Sequence, residues 1–399
     1  MNEKITLRTD TRQVWCGGVP IGGGAPVSIQ SMTNTDTEDI EATVAQITVL
    51  ADAGADIVRI AATTKKAALA IKEIKSRLSE SGKPVPIVAD IHFDYRIALA
   101  AIEAGADKIR INPGNIGDSE KLKAVADAAG KAGIPMRIGV NSGSIEQNLL
   151  KLYKENPAEA LAESALRNVE LVRNTGFEDI VVSIKSSDVI VNTKAHMLLA
   201  ANTDLPLHIG ITEAGFGEAG IAKSAAGIGA LLASGIGDTI RVSLTGNPVR
   251  EIPAARDILR AVNLLPGGIA IISCPTCGRC KVDLPSLCRE VSGALAETEL
   301  ARIKAYKDKL AKYISPENKM IKDTTIAEQL RLSQMDDDTQ QIKIALMGCS
   351  VNGPGEAADA DLGVACGTDG GVYFEKGIAI GRISYDEIAQ TIIDKVKKL

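Results

Sequence analysis

Cysteines are the residues of this 399-residue chain whose type and spacing most directly suggest chemistry. Cys274, Cys277 and Cys280 follow one another at intervals of three in the segment SCPTCGRC. A Cys-x-x-Cys turn lets two thiolates converge on one metal ion or cluster, and a further ligand can come from a distant strand end. Cys349, in GCSVNGPGEA, stands at such an end. The spacing predicts a metal site but leaves two alternatives open, a structural zinc ion and an iron–sulfur cluster.

The chain has seven cysteines, four of them between positions 274 and 288. An odd total, with four cysteines crowded into one segment, is not typical of a disulfide framework. Cys16 and Cys366 lack metal-ligand spacing, and we expect both to be small buried apolar residues. Cys288 follows the Cys-x-x-Cys turns at a longer interval.

Five basic residues near the ends of separate β-like runs form the second chemical signal. Side chains two positions apart share one face of a strand, so the polar residues of each run can be sorted by that period. An unpaired charge inside a barrel is unfavourable by several kcal/mol, and Asp90 and Glu213 are too few to neutralise five cations. We therefore expect a phosphorylated substrate, because the planar guanidinium group binds phosphate oxygens in pairs. The cations are Arg59, Arg110, Arg137, Lys185 and Arg241, accompanied by Asn112, Asn141, Ser183 and Ser243.

The arginines also have a simpler, structural interpretation, in which several of them point outward and pair with carboxylates of the helix layer. His92 and His208 are either catalytic or satisfied interior histidines. The glycine-rich segment IGGGAP, at 21–26, is predicted to be a turn because it lacks the lysine and serine of a phosphate loop.

The elements that must position these residues recur with a regular rhythm. Short apolar or β-branched runs alternate with alanine-rich amphipathic segments, in the order strand then helix. Eight such units in about 250 residues predict a (β/α)8 TIM barrel, with a doubly wound open sheet as the alternative. The segment DAGADIVRI, at 52–60, returns as EAGADKIRI at 103–111. The predicted strands are 28–33, 56–62, 85–93, 107–114, 134–141, 179–185, 205–213 and 238–246.

The regular alternation of strands and helices ends after Leu265, so the sequence predicts a barrel domain over 1–265 and a smaller α+β domain over 266–399. Strands are expected in the second domain near 268–274, 342–349, 362–366 and 370–383. The segment from about 292 to 340 is highly charged, and we expect it to be a helical insertion on the surface.

Composition excludes several other classes of protein. The formal net charge of −5 and the 3% of aromatic residues argue against nucleic acid and anionic lipid as partners. No apolar run approaches the roughly 20 residues that span a bilayer, and the start lacks the apolar core of a signal peptide. These features predict a cytoplasmic protein that does not bind membranes.

Four segments together carry a resemblance to a known family. SIQSMTNTDTED at 28–39, ADIHFDYRIAL at 89–99, CPTC at 274–277 and MGCSVNGPGEA at 347–357 closely resemble the bacterial 4-hydroxy-3-methylbut-2-enyl diphosphate synthases of the non-mevalonate isoprenoid pathway. The resemblance covers nearly the whole chain. It implies a barrel that binds 2-C-methyl-D-erythritol 2,4-cyclodiphosphate and a second domain with a four-iron four-sulfur cluster. The implied reaction is a two-electron reductive ring opening with loss of water.

The resemblance also implies roles for individual residues. It places the cluster on Cys274, Cys277, Cys349 and Glu356, with Glu356 as the exchangeable ligand. The five cations would hold the diphosphate, and Asp90 and Glu213 would contact substrate hydroxyl groups or deliver a proton. Cys280 departs from the family pattern and is an alternative ligand. Further substrate contacts are expected from Asn112, Asn141, Thr212, Ser243 and Asn352.

The resemblance further implies a homodimer, and ferredoxin or flavodoxin as the electron donor, because no G-x-G-x-x-G after a strand marks a nicotinamide or flavin site. Two other functions stay open on the sequence alone. One is a redox-inert barrel synthase with a structural zinc domain, and the other is a non-catalytic iron–sulfur sensor, in which the five cations would serve no purpose.

Overall fold

The computed structural model describes residues 6–313, 340–349, 355, 359–367 and 369–399, with the backbone alone at 310–313. These residues form two compact units, and the chain passes from the first to the second between Val262 and Asn263. No helix among them is both long and apolar enough to cross a membrane.

The first unit is a ring of eight parallel strands surrounded by helices. From β3 to β8 each strand pairs with the next along the chain, and β10 pairs with both β9 and β3. A parallel bridge between Val182 and Leu207 closes the ring. The (β/α)8 prediction is confirmed. The strands are β3 (Ser28–Met32), β4 (Ile57–Ala61), β5 (Ile87–Asp90), β6 (Lys108–Ile111), β7 (Met136–Asn141), β8 (Ile180–Lys185), β9 (His208–Ile209) and β10 (Thr239–Ile240).

The helices follow the strands as the sequence rhythm predicts. Several begin at a polar residue whose side chain accepts a hydrogen bond from the first turn, as Thr64, Asp118 and Asp188 do. Such caps satisfy backbone donors that the helix itself leaves free. The helices are α1 (Ile40–Asp52), α2 (Lys65–Glu80), α3 (Tyr95–Glu103), α4 (Pro113–Ile116), α5 (Ser119–Ala132), α6 (Gln147–Leu152), α7 (Pro157–Arg173), α8 (Val189–Asn202), α9 (Gly217–Ala233) and α10 (Glu251–Ala261).

The last two strands are shorter than predicted. Each contains two residues, so Thr212, Arg241 and Ser243 lie in the segments that follow the strands. Gly210 comes directly after β9, and a Cβ atom there would lie 2.6 Å from the carbonyl oxygen of Arg241. The absence of a side chain thus allows the two backbones to approach closely where they leave the sheet.

A small antiparallel hairpin covers one end of the barrel. It consists of β1 (Val14–Cys16) and β2 (Val19–Ile21), and it packs against Ile57 and Val181 at the start of their strands. The hairpin therefore closes the amino-terminal end of the ring. The segment IGGGAP that follows forms a turn, with positive φ angles at its three glycines.

The second unit is built on a five-stranded sheet in the order β11-β12-β13-β14-β15. The first three strands are parallel and the last two antiparallel. Residues of α11 and α12 pack on the sheet and form a core of their own with it. The elements are β11 (Ile269–Ser273), α11 (Leu284–Tyr313), β12 (Ile342–Met347), β13 (Leu362–Gly367), β14 (Gly370–Glu375), β15 (Ile378–Ile383) and α12 (Tyr385–Val396).

Helix α11 corrects the prediction of a surface insertion over 292–340. The helix starts at Leu284, and Leu295, Ile303 and Tyr306 are all buried. Charged residues occupy its exposed positions, so the high charge of this segment describes one face of a core helix. Residues 314–339 lie outside the described residues.

Candidate functional site

The five predicted cations come from five strands or strand ends of the barrel and lie close together. Arg110, Arg137 and Lys185 are buried, and the side chains of Arg59 and Arg241 are 12% and 15% exposed. Strand register places Arg110 beside both Asp90 and Arg137. Active sites of this fold lie at the carboxyl ends of the strands, which is where most of these residues stand.

Asp90, the last residue of β5, pairs with two of the cations. Its carboxylate lies 3.2 Å from Arg110 Nη1 and 3.8 Å from Arg59 Nε. Burial alone would raise the pKa of Asp90, but the charge of Arg59, a hydrogen bond with His92 and the charge of Arg110 together hold it well below its usual range. Asp90 is therefore ionised at neutral pH. Its predicted contact with substrate hydroxyl groups, or part in proton delivery, stays a prediction.

A second carboxylate, Glu251, was not found by sequence reasoning. It is the first residue of α10 and is 3% exposed, and its Oε2 lies 3.5 Å from Arg241 Nε. Glu251 also accepts hydrogen bonds from Ser31 Oγ (3.3 Å) and from the Leu244 backbone N–H (3.1 Å). The pairing of an arginine with a helix carboxylate, considered above as part of the alternative, thus holds for Arg241, although its guanidinium also lies beside Met32, next to Arg59.

Arg137 and Lys185 have no carboxylate within ion-pair distance in the part of the chain that the structure describes. Burial lowers the pKa of both groups well below their usual ranges, and neighbouring cations lower it further. The closest polar partner of Arg137 is Gln30 Oε1, 3.4 Å from Nη1. The five predicted cations thus face two carboxylates, and Arg137 and Lys185 are the two of the five without a carboxylate partner among the described residues.

Two glycines provide the space for these long side chains. A Cβ atom at Gly139 would lie 2.4 Å from Arg110 Nε, and a Cβ atom at Gly210 would lie 3.0 Å from Lys185 Nζ. Neither glycine has a positive φ angle, so both are required for room and not for backbone conformation. Sequence reasoning missed them, since a glycine within a strand pattern does not show which side chain will lie above it.

The uncharged polar residues predicted to contact the substrate differ in their hydrogen bonds and burial. Asn112 accepts a hydrogen bond from the Gly114 N–H and caps α4, which occupies its side-chain oxygen. Asn141 lies beside Lys185 in the strand register. Thr212 and Ser243 follow the ends of β9 and β10 and are partly exposed.

Glu213 is not part of the cation group. It is exposed, adopts a positive φ angle of 52°, and makes no recorded side-chain contact with the cations in the described part of the chain. The carboxylates paired with the cations are Asp90 and Glu251, and not Asp90 and Glu213. Its contact with a substrate stays a prediction.

Two histidines flank the cations at different depths. His92 is half-exposed, with its Nε2 at 3.5 Å from Asp90 Oδ2 and 3.4 Å from Arg110 Nη1. His208 is fully buried, and burial lowers its pKa well below the usual range.

Sequence reasoning missed the buried Lys108, whose pKa burial lowers to about 8.

The second unit gathers cysteines around Gly348. The Gly348 N–H donates to Cys274 Sγ at 3.3 Å, and a Cβ atom at Gly348 would lie 2.3 Å from Cys280 Sγ. The next residue is Cys349, which is buried, whereas Cys277 is exposed. As placed, no three metal-binding side chains among the described residues converge on one point. Thiols are nonetheless the soft donors that iron–sulfur clusters require, and those near Gly348 fit such a group.

A cavity of about 390 Å³ adjoins these cysteines. Cys349, Cys366 and the basic residues Arg279, Lys281 and Arg382 contribute to its lining. Cys366 is fully buried, and burial raises its pKa to about 11; Cys16 is likewise buried, with a pKa raised to about 11. Both are therefore inert thiols at neutral pH. Glu356 and Asn352 lie outside the described residues.

The fold and the site define a (β/α)8-barrel protein with an excess of buried cations, joined to a smaller cysteine-bearing unit. Comparison with known proteins narrows this class. The model described as "GcpE TIM-barrel domain" matches residues 11–256, and "GcpE protein C-terminal domain" matches residues 318–398. The chain belongs to the GcpE family, the 4-hydroxy-3-methylbut-2-en-1-yl diphosphate synthases, which confirms the family predicted from the four motifs.

Curated relatives with this name cover the chain from end to end. The enzyme of Caldanaerobacter subterraneus subsp. tengcongensis is 46% identical over 99% of this chain and 99% of its own length. That of Ruminiclostridium cellulolyticum is 44% identical over the full length of both chains. Both are named 4-hydroxy-3-methylbut-2-en-1-yl diphosphate synthase (flavodoxin).

Proposed function

We propose that this chain converts 2-C-methyl-D-erythritol 2,4-cyclodiphosphate into 4-hydroxy-3-methylbut-2-enyl diphosphate. The conversion consumes two electrons and two protons, opens the ring at a C–O bond and releases one water. The observation that carries the proposal is the buried cation group, in which five cations face two carboxylates in a member of this family. A cyclic diphosphate supplies the negative charge that the group lacks.

Arg137 and Lys185 are the main anchors of the diphosphate in this proposal, because neither has a carboxylate of its own. Arg59 and Arg110 are held in place by Asp90, and they contribute donors that Asp90 does not use. Burial excludes water from these contacts, which strengthens each of them. The substrate is thereby fixed before any electron arrives.

Cys274, Cys277 and Cys349 hold a four-iron four-sulfur cluster in this proposal, with Glu356 as the fourth ligand. When bound, the cluster would supply electrons to the substrate and an iron site that accepts an oxygen ligand. Flavodoxin is the proposed electron donor, since the relatives carry it in their names. The barrel over 1–265 would bind the substrate and the unit over 266–399 would carry the cluster.

The test is anaerobic purification of the full chain followed by iron and sulfide counts and an assay with the cyclic diphosphate and reduced flavodoxin. We expect four irons, four sulfides and formation of the linear diphosphate. Zinc without sulfide would instead favour the redox-inert barrel synthase. A cluster-loaded protein that does not bind the cyclic diphosphate would favour the iron–sulfur sensor.

Single serine substitutions test the ligand set. Cys277→Ser and Cys349→Ser should each abolish retention of the cluster, because a hydroxyl group is a poor replacement for a thiolate. The matched control is Cys288→Ser, which removes a nearby thiol outside the proposed set and should leave the iron count unchanged. A full iron count in Cys349→Ser would contradict the assignment and make Cys280 the next candidate.

A further inference from the structure

We propose that Glu251 is a positioning residue of the barrel site, which fixes the Arg241 guanidinium and the segment 241–244 in the geometry that binds a phosphate group. The inference rests on the proposed function, in which Arg241 contacts the diphosphate. It concerns a residue outside the strands, at the start of α10, that no sequence motif singles out.

The carboxylate of Glu251 joins three parts of the barrel. Its Oε1 accepts the Leu244 backbone N–H at 3.1 Å, and its Oε2 accepts Ser31 Oγ at 3.3 Å and lies 3.5 Å from Arg241 Nε. These contacts link α10, strand β3 and the segment after β10. Because Glu251 is 3% exposed and its oxygens already have protein partners, it acts on the substrate only through other residues.

Arg241 is oriented from two sides. Glu251 faces its Nε atom, and Met32 Sδ lies 3.6 Å from its Nη1 atom. The same sulfur accepts hydrogen bonds from Arg59 at 3.0 and 2.8 Å, so Met32 separates the two guanidinium groups. The ion pair with Glu251 at Nε and the contact with Met32 restrain the guanidinium before the anion binds, so less side-chain freedom is lost on binding.

Glu251 stands at the amino end of its helix. As the first residue of an 11-residue helix, it lies where the helix dipole favours negative charge. Its side chain does not cap that helix but hydrogen-bonds the backbone of Leu244, seven residues earlier. Glu251 therefore fixes the path of the chain through Ser243, a predicted substrate contact, as well as the orientation of Arg241.

A double-mutant cycle on the full cluster-loaded chain tests the inference. The variants are Glu251→Gln, Arg241→Gln and the pair, and the measurements are KM, kcat and the dissociation constant of the cyclic diphosphate under anaerobic conditions. Glu251→Gln keeps the size of the side chain and removes its charge. We expect it to raise KM and the dissociation constant about tenfold with little change in kcat.

The decisive outcome is the double variant. The amide oxygen introduced by Glu251→Gln can still accept the Leu244 N–H, so this variant removes the pairing with Arg241 and should have little further effect once Arg241 is already Gln. Losses that multiply in the double variant overturn the orientation of Arg241 by Glu251. Glu218→Gln, which removes an exposed acid from the first turn of α9, is the matched control and should match the unsubstituted chain.

Circular dichroism reports whether each variant folds. The second variant, Glu251→Asp, keeps the charge but withdraws it from Arg241 by one methylene group, so it should lose affinity in the same Arg241-dependent manner. Full affinity in both Glu251 variants overturns the inference. An unsubstituted chain that binds neither the cyclic diphosphate nor inorganic pyrophosphate contradicts the proposed function itself, which separates the two failures.

Discussion

Arg137 is a single residue whose charge serves ligand binding in the proposed function and lowers the stability of the fold. The side chain is 1% exposed, has no carboxylate partner among the described residues, and carries a charge that burial disfavours. A buried unpaired cation destabilises a fold, and replacing it with an apolar side chain of similar size is often stabilising. In the proposed function, the diphosphate supplies the partner that this buried charge lacks.

Arg137→Met should separate these two effects. We expect the free energy of unfolding of the ligand-free protein to rise by about 1–3 kcal/mol, because a buried charge is removed. The affinity for the cyclic diphosphate should fall about tenfold to a hundredfold, since a charge-assisted contact is lost. Urea unfolding and calorimetric titration measure the two quantities.

The control for Arg137→Met is Arg77→Met, which removes an exposed arginine paired with Glu73 on α2. It should change neither quantity by more than about 0.5 kcal/mol. A less stable Arg137→Met protein with full affinity would return Arg137 to a structural role.

His196, buried in α8, makes the stability of the barrel depend on pH. Burial lowers its pKa to about 4, while its Nδ1–H donates a hydrogen bond to the Asn192 carbonyl oxygen at 2.8 Å. In the unfolded chain the pKa is about 6.5, so between pH 6.5 and 4 the unfolded state binds more protons. Stability should therefore be lost as the pH falls, by about 2 kcal/mol between pH 7 and 5.

Trp15 lies in β1 and is the single tryptophan of the chain, so its fluorescence follows unfolding of the barrel. Urea unfolding by this signal at pH 7, 6 and 5 measures the loss. His196→Gln should flatten the dependence, leaving the part that the buried His208 contributes in the same direction and the part that Asp238, whose pKa burial raises to about 6, contributes in the opposite direction. An unchanged slope in His196→Gln would show that the ring is not neutral in the folded protein.

At the scale of elements, strand β7 makes room for its neighbour β6 through Gly139. In Gly139→Ala the new methyl group would contact the guanidinium of Arg110, which is the mobile end of a long side chain. We expect Arg110 to turn aside, so that stability changes little while the pair with Asp90 is broken. Affinity for the cyclic diphosphate should fall at least tenfold in a calorimetric titration.

Gly229→Ala is the comparison for Gly139→Ala. A Cβ atom at Gly229, within α9, meets no atom within 4 Å. Alanine should stabilise that helix by about 0.5–1 kcal/mol and leave affinity unchanged. Equal affinities of the two alanine variants would mean that Arg110 does not contact the ligand.

The elements also show which features the sequence can predict. The alternation of eight strands with helices predicts the barrel, and the period of two along each strand predicts the five cations, because both patterns are local properties of the sequence. Glu251 and Gly139 depend on which elements become neighbours in space, and no local period encodes that. The length of β9 and β10 was overestimated for the same reason, since Gly210 and Arg241 meet only in the closed ring.

At the scale of the whole molecule, the two units have separate cores. Among the described residues, the core of the second unit is formed by side chains between Ile269 and Val396. Leu295, in the segment predicted to be a surface insertion, is 2% exposed and belongs to this core. Charge content alone could not reveal this, because the apolar stripe of α11 is interrupted by many lysines and glutamates.

Leu295→Ala should therefore destabilise one unit alone. We expect a loss of about 2–5 kcal/mol in the second unit from the cavity left behind. Hydrogen exchange measured by mass spectrometry should show faster exchange in β12 and β13, while the Trp15 transition stays in place. Glu297→Ala, at an exposed position of α11, should alter neither. A shifted Trp15 transition in Leu295→Ala would contradict the independence of the two cores.

The hairpin of β1 and β2 has a kinetic consequence. Because it covers the amino-terminal end of the ring, we expect a molecule bound to the cation group to enter and leave at the carboxyl-terminal end. Substrate and product of the proposed reaction are both diphosphates, so the product leaves against the same attraction that drew the substrate in. Product should compete with substrate for the empty enzyme, and departure should quicken as dissolved salt screens that attraction.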